Sequence, residues 1–276
     1  MNLFIPQEYL ALKINYCRQQ LEKLPVVKLQ MFKIRGTPTQ RVVIGTRRFS
    51  MNTKQGKTCI DIMNNRECYE QQLGIWESVW NSRHKGEPLP ECVPHKVLRK
   101  LYVNTGEYVV MNKAYFDSLK NDADTSYPKP RSYPFNGIFY RSAAERDIAI
   151  YYTKMGIPFK YEPEVYINGL TKPIYPDFVI YIVELDNCKF HEHFGIQQSE
   201  KYLRSTSFKY ENYTKAGLIP ELDILFTHDV DDMPFDIRAF ASKLNTAVYT
   251  TAISTTVYQN IWEAAAVCPE SVFGRS

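Results

Sequence analysis

The 276-residue chain has no apolar run approaching the roughly 18 residues that cross a bilayer. Its opening, MNLFIPQEYLALK, lacks the basic start and apolar core of a secretory signal. No membrane association is expected, and a cytoplasmic location is. The six cysteines (Cys17, Cys59, Cys68, Cys92, Cys188, Cys268) form no CxxC pair and keep no regular spacing. That argues for reduced thiols and against a disulfide or zinc framework. There is no GxxxxGK[ST], no GxGxxG and no GxSxG, so ATP-driven action within this chain is not expected. Between residues 24 and 60 there is no acidic residue at all.

What is present belongs to a folded globular protein with an uneven distribution of charge. A 44% hydrophobic and 14% aromatic composition belongs to a packed globular chain and excludes a disordered one. Charge is uneven. Residues 1–130 carry 20 basic and 12 acidic side chains, and residues 131–276 carry 14 and 18. The acid-free stretch holds eight cations: Lys28, Lys33, Arg35, Arg41, Arg47, Arg48, Lys54 and Lys57. Such a stretch suits a phosphate backbone, although a solvated basic β-surface would have the same composition.

Periodicity divides the chain. Leu10, Ile14, Cys17, Leu21 and Leu24 give one apolar seam, predicting a helix over 7–23 that Pro25 stops. VVKLQMFKI, QRVVIGTRRF and KTCIDIM have strand character, with Gly36, Pro38 and Gly56 at the turns. Helices are expected over 64–82, 95–103 and 112–120, with a strand-like EYVVM between the last two. The proline-rich 121–137 predicts an irregular connection and a domain border near 130. Beyond it, helix 142–155, strands 158–166, 173–183 and 188–194, helix 199–216, strand 223–228 and a core helix over 235–245 are expected. The tail, 246–276, carries an amphipathic piece near 258–266. The expected organisation is a basic α+β domain over 1–130, an α/β domain over 131–248 and an extension over 249–276.

Three acids are out of place in this pattern. Glu192 shares a strand face with Cys188, Phe190 and Phe194, because side chains alternate with period two. A carboxylate on an apolar face is unfavourable unless it is paired. Asp177 lies in PIYPDFVIYIV, otherwise apolar enough for a buried strand, and Glu145 opens the preceding helix. Three acids on successive elements of one small sheet suggest a divalent-metal site. Hydrolysis of a phosphodiester needs an activated water and relief of charge on the phosphate, which one or two Mg²⁺ ions held by carboxylates supply. Each acid also has a structural explanation. Pro-Asp is common in turns, Glu192 could pair with a buried cation, and Ser142-Ala-Ala-Glu145 is a capping box.

Glu145 in RSAAERDIA, Pro176-Asp177 in YPDF and Glu192 in HEHFG together resemble the PD-(D/E)xK nuclease superfamily over roughly 138–245. GIPFKYEPEV and the Glu-His-x-Gly third strand are similar to a divergent bacterial or phage branch. The resemblance implies a restriction-endonuclease-like α-β-β-β-α-β core and Mg²⁺-dependent hydrolysis of nucleic acid, DNA in preference to RNA, with Mn²⁺ able to substitute. It implies Asp177, Glu192 and the main-chain carbonyl of His193 as metal ligands, with Glu145 assisting. A role in phage defence, restriction or mobile-element biology, and a homodimer on duplex DNA, follow only by association. The superfamily's lysine position is Phe194 here. Tyr202, Thr206, Lys209 and Tyr213 form one stripe of the following helix, so Lys209 is the expected replacement and Lys201 the second candidate. With no lysine at the site, the chain would be a non-catalytic nucleic-acid-binding or assembly protein. His191 and His193, on the face opposite Glu192, raise a zinc hydrolase as a third reading, or simply pack behind the sheet.

Overall fold

The computed structural model describes residues 5–34, 36–126, 128–195, 200–229 and 235–267, and the side chains of all of these except 201 and 254–267. The chain forms two compact units, residues 10–94 and residues 1–9 with 95–276. The proline-rich segment 121–137 lies inside the second unit.

The first unit takes most of helix α1 (Gln7–Lys23), then strands β1 (Val27–Ile34), β2 (Thr37–Ile44) and β3 (Arg47–Ser50), and the long helix α2 (Lys54–Arg83). The strands form one antiparallel meander. KTCIDIM, expected as a strand, is the start of α2. The Thr53 side chain caps the helix by accepting the Gly56 amide at 3.1 Å. Cys59, Ile60 and Met63 then fall on one helical face, against Val27 and Val42. Packing at helical spacing outweighs the β-branched composition that suggested a strand.

The second unit begins with a hairpin, β4 (Lys100–Tyr102) and β5 (Tyr108–Val110), and helix α3 (Lys113–Ser118). The helix expected over 95–103 is therefore replaced by a strand. The turn VNTG, with Gly106 at φ 82°, returns the chain so that Leu101 pairs with Val109 and enters the core. A two-stranded turn, β6 (Pro134–Phe135) with β7 (Ile138–Phe139), leads to helix α4 (Ala143–Lys154). Strands β8 (Phe159–Tyr161), β9 (Phe178–Ile182) and β10 (Asn187–Phe194) follow, then helix α5 (Glu200–Lys215), strand β11 (Ile224–His228) and helix α6 (Ile237–Val267). The expected order helix–strand–strand–strand–helix–strand is present from α4 to β11. The last helix runs well past the expected 245.

These four strands form one mixed sheet in the order β11-β10-β9-β8, with β10 parallel to β11 and antiparallel to β9. On one face, Tyr152 of α4 and Phe240 of α6 pack on His191. On the other, Tyr213 of α5 and Phe116 of α3 join Phe190, Val179 and Phe226. Segment 121–123 is hydrogen-bonded to the edge strand β8 without forming a strand of its own. Asp122 N donates to Tyr161 O at 2.7 Å, Ala123 N to Glu162 O at 3.0 Å, and Tyr161 N to Asn121 Oδ1 at 2.7 Å. An irregular segment is thus tied to the sheet edge by specific hydrogen bonds.

Two glycines of α2 give a test of the first unit. A Cβ on Gly56 would overlap the Ser50 carbonyl oxygen, a backbone atom, whereas one on Gly74 meets nothing within 4 Å. Gly74→Ala is expected to stabilise by up to about 1 kcal/mol through helix propensity. Gly56→Ala is expected to destabilise by about 1–3 kcal/mol despite the same propensity gain. Urea unfolding of both variants checks this, and equal shifts would contradict the packing of α2 on β3.

Candidate functional site

The site lies where β9 begins and β10 continues past it. The ladder between them ends at the pair His191↔Phe178, with Lys189↔Ile180 and Asn187↔Ile182 before it. Odd-numbered residues of β10 face β9, while Phe190 N and Phe194 O bond toward β11, to Asp223 O and Asp229 N. Continuing that register brings His193 opposite Pro176. Proline has no N–H, so the His193 carbonyl has no ladder donor there. The His193 amide is taken instead by the Asp177 side chain, Oδ2 accepting at 2.6 Å. The Pro-Asp pair thus ends the ladder and leaves a carboxylate and a main-chain carbonyl at the same strand end.

Glu192 is fully buried and is satisfied from α5. Lys209 Nζ donates to Oε2 at 2.6 Å, and the Tyr213 hydroxyl donates to Oε1. Of the expected stripe, Lys209 and Tyr213 reach Glu192 and Tyr202 packs against the core, while Thr206 is half-buried beside Ser207 and Tyr210. Burial pushes the Glu192 carboxyl up to about 7; the Lys209 charge opposes this and the Asp177 charge adds to it. Burial alone would lower Lys209, but the charges of Glu192 and Asp177 outweigh it and raise it. Lys209 is therefore an ammonium held against Glu192, within the field of Asp177. Phe194, in the motif-lysine position, is buried and stacks on Phe226 and His228, at 5.8 and 5.2 Å between ring centroids. Lys201, the second candidate, has a side chain outside the described residues.

Glu145 adopts half of the expected capping box. Its amide donates to Ser142 Oγ at 3.1 Å, but its carboxylate does not return to the Ser142 amide. Oε1 accepts from Ser142 Oγ at 3.1 Å, and Oε2 accepts from Tyr161 Oη at 2.6 Å and from the Arg141 amide at 3.1 Å. Burial, then the Asp177 charge, push this carboxyl up to about 7. Asp177 is thus the charge common to both raised carboxyls. Tyr161 was not singled out from the sequence. Its signal was the parity of KYE on β8, which aligns Tyr161 with Phe178, 5.4 Å away between centroids, beside the helix start.

Behind the sheet, His191 and His193 are tied to each other through Thr227. His191 Nε2 and His193 Nδ1 lie 2.8 and 2.9 Å from Thr227 Oγ1, and His191 Nδ1 lies 2.8 Å from Tyr152 Oη. His193 Nε2 stands 3.3 Å from Asp229 Oδ1 without hydrogen-bond geometry. Burial pushes both imidazoles below their ordinary value, most strongly His191. Neutral rings bonded to hydroxyls in this way pack the core and do not converge on a zinc ion.

Among the described residues no three His, Cys, Asp or Glu side chains converge closely enough to hold a metal ion. What the strand ends offer is two carboxylates and one carbonyl, all hard oxygen donors of the kind Mg²⁺ and Mn²⁺ take. That donor set fits such an ion, with water completing its shell. No family model, no curated protein and no solved structure matches this chain.

The raised carboxyls make stability pH-dependent. With a pKa of about 7 in the folded protein against an ordinary 4.5, Glu145 takes up a proton on folding between those values. Below 4.5 it contributes nothing; above 7 it opposes folding by roughly 3 kcal/mol. Metal-free wild type should therefore lose more stability between pH 5 and pH 8 than Glu145→Gln does. Urea unfolding at the two pH values in EDTA measures this, and parallel losses would place Glu145 in an ordinary environment.

Proposed function

We propose that this protein is a divalent-metal-dependent nuclease that hydrolyses DNA phosphodiesters, on a restriction-endonuclease-like α-β-β-β-α-β core. The observation that carries the reading is the end of the β9–β10 ladder. There Pro176 offers no strand donor, Asp177 accepts the amide of His193, and the neighbouring Glu192 is met by Lys209 from α5.

Asp177, Glu192 and the His193 carbonyl would hold Mg²⁺, with Mn²⁺ as a substitute. When bound, the ion would activate water and relieve charge on the phosphate oxygens. The chain's own groups have separable tasks. Tyr213 holds Glu192 through one oxygen, so the carboxylate keeps its direction when Lys209 leaves the other. Lys209 then offers its ammonium to the negative charge that builds on the phosphate, in place of a strand lysine at Phe194. Glu145, with a carboxyl near 7 and anchored by Tyr161, is suited to accept or return a proton at neutral pH. A homodimer would present two such centres to a duplex, and restriction or phage defence would use such an activity.

One observation favours a non-catalytic nucleic-acid-binding protein on the same fold. Both Glu192 oxygens are already engaged, by Lys209 and Tyr213. The two readings part in a cleavage assay on plasmid and single-stranded DNA with Mg²⁺ or Mn²⁺. The nuclease reading expects cleavage that Asp177→Ala and Glu192→Ala abolish. Lys209→Ala should slow it by about 10²–10³-fold, the usual loss for one preorganised charge. Cleavage that survives both acid substitutions would put the site elsewhere. Intact DNA binding with no cleavage under any metal would leave the binding protein.

A further inference from the structure

The β1–β2 hairpin outruns its support. The two strands pair along their whole length, from Val27↔Ile44 to Ile34↔Thr37, but β3 pairs only with Arg41–Ile44. The residues of α2 that pack on the sheet meet Val27, Val42, Ile44 and Phe49, all at the near end. Beyond that, residues 30–34 and 37–40 form a two-stranded ribbon whose Met31 face is exposed among the described residues, while Phe32, Ile34 and Thr39 on the other face are half-buried. Leu29 is 39% and Met31 63% exposed, and Lys28, Gln30, Lys33, Thr37 and Gln40 are exposed as well. A two-stranded ribbon alone in water is only marginally stable. An extended one that displays Met31 and no acid is built to be covered.

Charge and shape identify what covers it. Lys28, Gln30 and Arg41 share one face by register, and Arg48 joins them across Val43, its guanidinium 4.4 Å from the Phe32 ring centroid. Lys33 and Gln40 lie on the other face beside Met31. None of these cations has an acidic partner among the described residues, and none of residues 24–60 is acidic. A surface with cations, amides and an unbroken lack of carboxylates is complementary to a polyanion. A ribbon of five residues is about 17 Å long. The major groove of B-form DNA, about 12 Å wide, admits a two-stranded ribbon, whereas the deep, narrow major groove of A-form RNA does not.

We propose that the β1–β2 ribbon is an arm that enters the major groove of double-stranded DNA, with the face that carries Met31 and Gln40 turned to base edges, and Lys33 together with Lys28 and Arg41 at the arm's base on phosphates. Leu29 and Met31 supply apolar contact of the kind thymine methyls accept. This deepens the nuclease reading by naming a duplex, but it concerns binding alone and is tested without metal.

The test is fluorescence anisotropy of the full chain in EDTA, with a 25-base-pair DNA duplex, either of its single strands and an RNA duplex of the same sequence as probes. The wild type should bind the DNA duplex at least about tenfold more tightly than either other probe. Lys33→Ala/Arg41→Ala should weaken duplex binding by about tenfold and flatten the dependence of log affinity on log salt by about 2, near 0.9 for each phosphate no longer neutralised. Lys113→Ala/Lys154→Ala, which removes as much charge from α3 and α4, should change affinity less than twofold. Circular dichroism establishes that the variants are folded. Equal loss in the two double variants would overturn the arm, as would single strands binding as tightly as the duplex. A dimer in sedimentation that the ribbon variant dissolves would overturn it in favour of a second copy paired along the β1 edge. Because no metal is present, a failed arm leaves the cleavage chemistry untouched, and failed cleavage leaves the arm standing.

Discussion

A fully buried carboxylate on an apolar strand face cannot stand alone, and the second unit is arranged around that constraint. Glu192 lies between Phe190 and Phe194 on β10, with no water to solvate it. The Lys209 ammonium and the Tyr213 hydroxyl satisfy it, and both come from the inward stripe of α5. That requirement fixes the rotation of α5 on the sheet. Turning the helix by one residue would leave Glu192 buried without its cation, and removing one partner of a buried pair typically costs about 3–5 kcal/mol. The same tyrosine packs against Phe190 and Phe226, so satisfaction of the charge and closure of the core are one event.

A second constraint works at the strand ends. The β9–β10 ladder stops before Pro176, which has no N–H to give the His193 carbonyl, and the Asp177 side chain accepts the His193 amide. The result is a carboxylate held beside the main chain at the point where the regular ladder ends. Asp177 also couples the two faces of the site. Its charge raises the carboxyl of Glu192, on the α5 side, and that of Glu145, at the start of α4. Two carboxyls near neutrality beside one fixed cation form a charge balance that an incoming divalent ion, or a phosphate, would shift.

Much of this was legible in the residues. The period-two face of CKFHEHF exposed Glu192 as an exception, and the four-three-four stripe of α5 aimed Lys209 at it. The alternation that put His191 and His193 behind the sheet also placed them correctly. What escaped the sequence depends on partners distant along the chain. KTCIDIM alternates like a strand, yet its packing against Val27 and Val42 makes it a helix. Within VLRKLYV, Lys100–Tyr102 is a strand because β5 returns beside it. The segment around Pro128 has the composition of a linker, but its amides bond to Tyr161 and Glu162, and Lys129 lies 2.5 Å from Glu162. The role of Tyr161 was hidden because a tyrosine on a short strand is ordinary until Glu145 is seen beneath its hydroxyl.

The most direct measurement is anomalous diffraction from crystals soaked in Mn²⁺. The account predicts one strong peak within ligand distance of the Asp177 and Glu192 carboxylates and the His193 carbonyl, with Lys209 Nζ drawn off Glu192. A peak at the His193 and Asp229 side chains instead, or an undisturbed Lys209–Glu192 pair with no manganese beside it, would contradict it.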